Sequence, residues 1–289
     1  GPWLECCWCK GRFPKESFGR GVGNQVERPS CLPISDPEGS RDVDRTKPGR
    51  LADSACAILM QVLFAARVGR FDLLRAVGAL ASRISDWSEQ CDRFLHRLMC
   101  YINTTLHYRQ VGYVGDSLDN IDVAMYCDAD FAGDRRWSPQ GTSAESKKTS
   151  MRSTSGCHIA FNGPATCFPI IGASKKQEAT SYSTPEAEMV AGSFGLRTKG
   201  LPFLDIAQKV LQRLLKLQFL EDNTAMIRVC QTGKNPTMRH LQRTQGISVA
   251  WMHENTQGDD CSLRQCDTSK QCADICTKGF NELDKWRHA

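Results

Sequence analysis

From Gly112 onward the chain alternates short apolar runs with a helical period, and this alternation predicts an α/β domain. Candidate strands are Asp122–Cys127, Cys157–Asn162, Thr166–Ile171 and Leu217–Glu221, with a fifth, shorter one near Ser262–Cys266. Between the third and fourth lies the best-marked helix. Thr184 is placed to cap it, Pro185 suits its first turn, and Glu186 and Glu188 favour its positive end.

Acidic residues fall at the ends of these strands. Asp128 and Asp130 follow the first strand, and Asp222 follows the fourth, with Asn223 as a helix opener. Strand ends are where open α/β sheets build their sites. Carboxylates meeting there repel one another unless a cation neutralises them, and a cluster of hard oxygen ligands suits Mg²⁺. Strand-end and cap duty is the competing explanation for the same residues. On the helix, Glu186 and Glu188 are two residues apart, about 200° around the axis, so only one can face the sheet. Ala191, Gly192 and Gly195 lie on the face of Glu188 and would let the backbone approach closely. Glu188 is therefore expected to point at the site, and Glu186 outward.

The rest of the chain is plainer. Residues 1–50 are rich in Gly, Pro and charge without an apolar period, and read as irregular. Residues 51–112 carry three amphipathic periods, for which three packed helices are expected; Arg67, Arg70, Arg83, Arg93 and Arg97 read as their solvated face. The longest apolar run, Ala55 to Ala66, falls short of the ~20 residues of a membrane span, so no membrane role follows. A net charge of +5 is compatible with a nucleic-acid partner without arguing for one. The 15 cysteines are odd in number and scattered, and Cys6 and Cys9 form a lone C-x-x-C. Reduced thiols in a cytoplasmic or nuclear protein fit better than a disulfide scaffold or a zinc site. The chain opens on Gly1, which suggests a piece of a longer protein.

Six strings, in order, give the α/β part a family resemblance. Cys127-Asp128-Ala129-Asp130-Phe131-Ala132-Gly133-Asp134 resembles the C-D-A-D-W-A-G-D opening of copia-type retrotransposon ribonuclease H domains. Arg152-Ser153-Thr154-Ser155-Gly156 is similar to their R-S-T-S-G, and Ser174-Lys175-Lys176-Gln177 to S-K-K-Q. Ser183-Thr184-Pro185-Glu186-Ala187-Glu188 resembles S-S-T-E-A-E, Asp222-Asn223-Thr224-Ala225 resembles D-N-Q-S-A, and Ala273-Asp274-Ile275-Cys276-Thr277-Lys278 resembles A-D-I-L-T-K. More loosely, Ala66 to Ile102 looks like the end of the reverse transcriptase that precedes this module, with Phe71 where the family has Pro. The chain has no Y-x-D-D for polymerase chemistry.

The resemblance implies a ribonuclease H-like mixed five-stranded sheet flanked by helices over residues 113–289, behind a helical reverse-transcriptase remnant at 51–112. It implies cleavage of the RNA strand of an RNA–DNA hybrid with two Mg²⁺ ions, or Mn²⁺ in their place, held by Asp128, Glu188, Asp222 and Asp274. Two such ions ~4 Å apart activate a water and stabilise the leaving oxygen. In the family scheme Asp128 bridges both ions, Asp274 helps hold the ion of the attacking water, and Glu188 and Asp222 serve the second. The four carboxylates are expected to converge, and Asp130 to support them from behind. Lys147, Lys148, Arg152, Lys175 and Lys176 are candidates to hold the hybrid backbone, and His240 matches the His of the family's K-H-I string. The remaining reverse transcriptase is the implied protein partner.

Departures from the family pattern are a polar insertion, RWSPQGTSAESKKTSM, expected to form a mobile loop, and Gly246 in a segment helical in the family. Cys266, Cys272 and Cys276 stand where Val, Leu and Leu are usual. They suggest a diverged copy, so a silent nucleic-acid-binding remnant is the alternative to an active enzyme. An integrase-like DNA nuclease is disfavoured by the acid order and the A-D-I-x-T-K ending.

Overall fold

The computed structural model describes residues 3–5, 12–14, 47–132 and 151–280. Cys6, Cys9, Lys147, Lys148 and the insertion up to Ser150 lie outside the described residues. Within the first stretch, β1 (Trp3–Glu5) pairs antiparallel with β2 (Arg12–Pro14).

Three helices follow, α1 (Ala52–Gly69), α2 (Leu74–Ala81) and α3 (Glu89–Thr104). Asp92 organises the entry to α1. Its carboxylate, fully buried, accepts from the backbone N–H of Arg50 (2.6 Å) and Leu51 (3.2 Å) and from Trp87 Nε1 (2.7 Å). Those bonds satisfy donors at the start of α1 that the helix cannot pair itself. Arg70 does not belong to a solvated face. It forms an ion pair with Asp72 (2.8 Å) and donates to the Thr105 carbonyl (3.2 Å), pinning the end of α1 to α3.

The helix that carries the apolar run Ala55–Ala66 extends beyond it at both ends. The α1 helix continues through Arg67 to Gly69, tolerates Gln61, and with 18 residues and a mean hydropathy of 1.3 is long and apolar enough to cross a membrane. Length and composition alone set this criterion, which core helices of soluble proteins also meet, and at 18 residues the helix stays short of the ~20 expected of a span. Ala55, Leu59 and Ala66 are buried, whereas Met60, Phe64 and Val68 are exposed along one stripe.

The α/β part is a six-stranded mixed sheet flanked by helices, as the expected α/β class requires, in the order β3-β6-β5-β4-β7-β8. The strands are β3 (Tyr113–Val114), β4 (Asp122–Asp130), β5 (Thr154–Gly163), β6 (Thr166–Lys176), β7 (Leu217–Glu221) and β8 (Cys261–Gln265). The two-residue β3 adds an edge strand to the five expected. Strands β4, β5 and β6 form an antiparallel meander, and β7 and β8 run parallel to β4. A parallel step needs a crossover. Here it is α4 (Thr184–Gly195), a π turn and α5 (Leu201–Leu211).

The meander strands run past their apolar segments. Asp130 pairs with Thr154 and Thr154 with Lys176, so polar strand ends are held by backbone ladders that a hydrophobic pattern does not reveal. Beyond β7 come α6 (Thr224–Thr232), α7 (Leu241–Thr244), α8 (Val249–Thr256) and, after β8, α9 (Asp274–Thr277). Gly246, at φ 66°, separates α7 from α8, the break its position predicts.

Alternation along β4 sends its two faces to different layers. Met125, Cys127 and Ala129 face α4: Met125 and Cys127 lie at Gly195, and Ala129 clusters with Ala187 and Ala191. Asp128 and Asp130 face the other way, toward α9 and α2, where they meet Thr277 and Arg75.

Candidate acidic site at the end of the sheet

Three of the strings come together by strand register. Asp128 lies opposite Gly156, and Gly156 opposite Ser174; Ala129, Ser155 and Lys175 form the next row. Asp128 and Asp130 thus sit inside the last turn of strand β4 rather than past its end.

Helix α4 is anchored close to this corner. Its cap is Ser183, one residue earlier than expected, accepting from Glu186 N, with Pro185 in the first turn. Gln177, almost fully buried, donates to Ser155 Oγ (3.0 Å) and to the Ala187 carbonyl (3.0 Å), tying the helix to β5. The small-residue stripe allows the approach. A Cβ on Gly192 would meet Met226 Cε at 2.6 Å and Phe219 Cζ at 3.0 Å, and one on Gly195 would run into Cys127 Sγ.

This places Glu188 in the interior, 4% exposed, on the side of the helix turned to the sheet. Burial first, then Glu221, Asp128 and Asp222, push its carboxyl up to about 10. Glu186 is also buried, which corrects its expected outward position. Its carboxylate accepts from Tyr182 N (3.0 Å) and pairs with His240 Nε2 (3.1 Å), because the segment leading into α4 and the start of α7 fold over that side.

Asp222 immediately follows β7, and Asn223 caps α6 by accepting from Met226 N (3.0 Å). Asp274 opens α9, and Gln271 holds the approach to that helix by donating to the Cys127 carbonyl (2.9 Å). Burial, then Asp128, raise the Asp274 carboxyl to about 6, with Asp222 adding to the rise. Asp128 is raised by burial too, with Asp222 adding to it while Lys278 and Thr277 oppose. Asp128, Glu188, Asp222 and Asp274 therefore share one electrostatic field.

They do not form a ready-made ligand cage. Among the described residues no three His, Cys, Asp or Glu side chains stand close enough to hold an ion. The acids straddle the sheet end, Asp128 and Asp274 on one side and Glu188 on the other. The Lys278 ammonium lies between Asp274 Oδ1 (2.6 Å) and Asp128 Oδ1 (3.5 Å). As a donor set for a hard cation the residues nonetheless fit. They are all oxygen, they repel one another, and Glu188 Oε2 is buried without a hydrogen-bond partner.

Sequence reasoning missed three residues here. Glu221, fully buried on the α4 side of β7, holds one oxygen on Asn223 N (3.1 Å), leaves Oε2 without a hydrogen-bond partner, and is raised well above the ordinary range by burial. Its position directly before Asp222 was the available signal. Gln271 and Arg75 carry no motif, and only the structure shows their role.

The basic candidates divide. Lys175 pairs with Glu178 (3.1 Å) and lies over the Phe194 ring at 5.8 Å, and Lys176 ends β6 beside Thr154. Arg152 precedes β5, partly buried. All three are at the acidic end of the meander. His240 is engaged by Glu186 and by the ring of Tyr182 rather than by the four acids.

No protein-family model and no curated protein matches the chain. Two solved structures are similar to it. One is LC11-RNase H1, isolated from compost by a metagenomic approach, at 14% identity and a TM-score of 0.33, covering 54% of this chain and 92% of that one. The other is a foamy viral protease–reverse transcriptase in complex with an RNA/DNA hybrid, at 13% identity and a TM-score of 0.40, covering 80% of this chain and 27% of that one. The chain thus spans about a quarter of the viral protein's length.

Proposed function

We propose that the chain is a metal-dependent endonuclease that cleaves the RNA strand of RNA–DNA hybrids, as part of a copia-type retrotransposon polyprotein. The observation that carries this reading is that Asp128, Glu188, Asp222 and Asp274, from separate elements, gather at one end of the sheet near enough for Asp128 and Asp222 to raise the carboxyls of Glu188 and Asp274, with Glu188 Oε2 buried and unpartnered. Carboxylates that raise one another in a partly buried corner cost stability, and such arrangements concentrate at functional sites.

Asp128, Glu188, Asp222 and Asp274 would hold Mg²⁺, or Mn²⁺ in its place. The bound cations supply charge neutralisation at the scissile phosphate and an activated water. The chain's own residues do the remaining work. Gln177 and the glycine stripe hold Glu188 against the sheet, and Gln271 holds α9 on the Cys127 carbonyl. Lys278 would have to leave Asp128 and Asp274 for them to ligate. Lys175, Lys176 and Arg152 line the same end and contribute positive charge toward a backbone ligand.

A silent, nucleic-acid-binding remnant is the second reading, favoured by the hold of Lys278 on two of the acids. Incubation with labelled RNA–DNA hybrid, duplex RNA, duplex DNA and single-stranded RNA, in Mg²⁺ and in chelator, separates the two. Cleavage confined to the RNA of the hybrid and abolished by chelator is expected. Binding without cleavage in Mg²⁺ and in Mn²⁺ would establish the remnant.

A further inference from the structure

The acids are framed by a residue from outside the α/β part. Arg75, on α2, has a side chain only 9% exposed, and its guanidinium reaches two elements of the sheet end. Its Nε donates to the Thr277 carbonyl at the end of α9 (2.7 Å), and its Nη2 donates to Asp130 Oδ2 on β4 (3.2 Å). Thr277 in turn donates through Oγ1 to Asp128 Oδ2. Carbonyls in the last turn of a helix lack intrahelical partners, and α9 is a single turn, so an outside donor matters to it.

The packing is as close as the bonding. A Cβ on Gly156 would meet Thr277 Cγ2 at 2.5 Å and the Ala273 carbonyl at 3.0 Å, so α9 lies directly on β5. Cys276 is buried in the same cluster as Leu74, Val77 and Leu80 of α2. The α9 turn, which carries Asp274, is thus clamped between β5 and α2.

We infer that Arg75 is a positioning residue for the acidic site, and that the helical segment 52–104 completes the site rather than merely preceding it. The inference rests on the proposed reading for its consequence in metal binding, but not for its structural content. The planar guanidinium sets α9 and β4 at a fixed separation, and through Thr277 it orients Asp128 against Asp274. A lysine offers a point charge and cannot span both partners in this geometry.

The test compares the full chain with Arg75→Lys, Arg75→Ala and Tyr101→Phe. The last removes a hydrogen bond to Asp72 inside the helical segment, away from the site. Hydrogen exchange over residues 271–278 is expected to quicken in both Arg75 variants and stay unchanged in Tyr101→Phe. Calorimetric Mg²⁺ affinity, and the Mg²⁺ needed for half-maximal cleavage, should weaken about 10- to 100-fold in the Arg75 variants. Should Arg75→Ala not fold, Arg75→Lys carries the comparison. Unchanged exchange at 271–278 in the folded Arg75 variants would overturn the inference. A wild type that binds no Mg²⁺ and cuts no hybrid counts against the proposed function, and the exchange data still decide the positioning.

Discussion

Lys278 donates to Asp274 across 2.6 Å from four residues further along the chain, so the α9 turn carries both an acid of the site and the cation that neutralises it. Burial alone would lower the Lys278 ammonium, but Asp128 and Asp274 outweigh it and hold it above the ordinary lysine range. On the proposed function, lysine and metal would compete for the same oxygens.

Lys278→Gln should therefore act in opposite directions with and without metal. Metal-free protein loses about 1 kcal/mol, the scale of a partly exposed ion pair. The Mg²⁺ concentration that half-saturates the thermal shift should fall below the wild-type value. A higher requirement in the variant would show that Lys278 helps metal binding instead of opposing it.

Glu188 gives the metal-free protein an unusual pH dependence. Its folded carboxyl, at about 10, lies above the ordinary value of 4.5, so the folded state keeps a proton that the unfolded state releases. Its contribution is fully present below the unfolded value and is lost as pH rises toward the folded one, by up to about 1.4 kcal/mol per pH unit. Urea titrations at a series of pH values in chelator should show stability falling across this window. Glu188→Gln, which cannot ionise, should flatten the decline; an identical slope would place the proton elsewhere.

His158 works on the acid side. Buried between Phe71 and Tyr126, it is lowered to about 4 by burial. The unfolded chain takes up a proton near 6.5 that the folded one refuses, so stability is lost as pH falls from there toward about 4, by as much as roughly 3 kcal/mol. His158→Gln should remove that part of the acid limb in the same titrations.

Gly195 should tolerate no side chain. Gly195→Ala drives a methyl into Cys127 Sγ and should cost about 1–3 kcal/mol in chemical denaturation. It should also weaken Mg²⁺ binding, since lifting α4 lifts Glu188. Wild-type stability in Gly195→Ala would mean that the helix does not lie so close to the sheet.

Much of this architecture was legible in the sequence. Leu217–Glu221 is the strand its alternation predicts, and Asn223 caps the helix it was expected to open. Glu188 faces the sheet over the Gly192 and Gly195 stripe for the steric reason that spacing supplies. What stayed hidden depends on partners distant in sequence. The extension of β4 to Asp130 and of β6 to Lys176 comes from ladder bonds between polar residues. The burial of Glu186 comes from His240, 54 residues away, and the role of Arg75 from Thr277, 202 residues away. No local pattern encodes such pairs. The cap at Ser183 rather than Thr184 is a choice between adjacent hydroxyls that propensity alone does not make.

The most direct measurement is single-turnover cleavage of a labelled RNA–DNA hybrid across a Mg²⁺ titration, by the wild type, Asp128→Asn and Asp222→Asn. The account predicts Mg²⁺-dependent cutting of the RNA strand by the wild type and a loss of about 1000-fold or more in each variant, as expected when a principal electrostatic element of a site is removed. Cutting by the variants at the wild-type rate, or none by the wild type at any Mg²⁺ concentration, would contradict it.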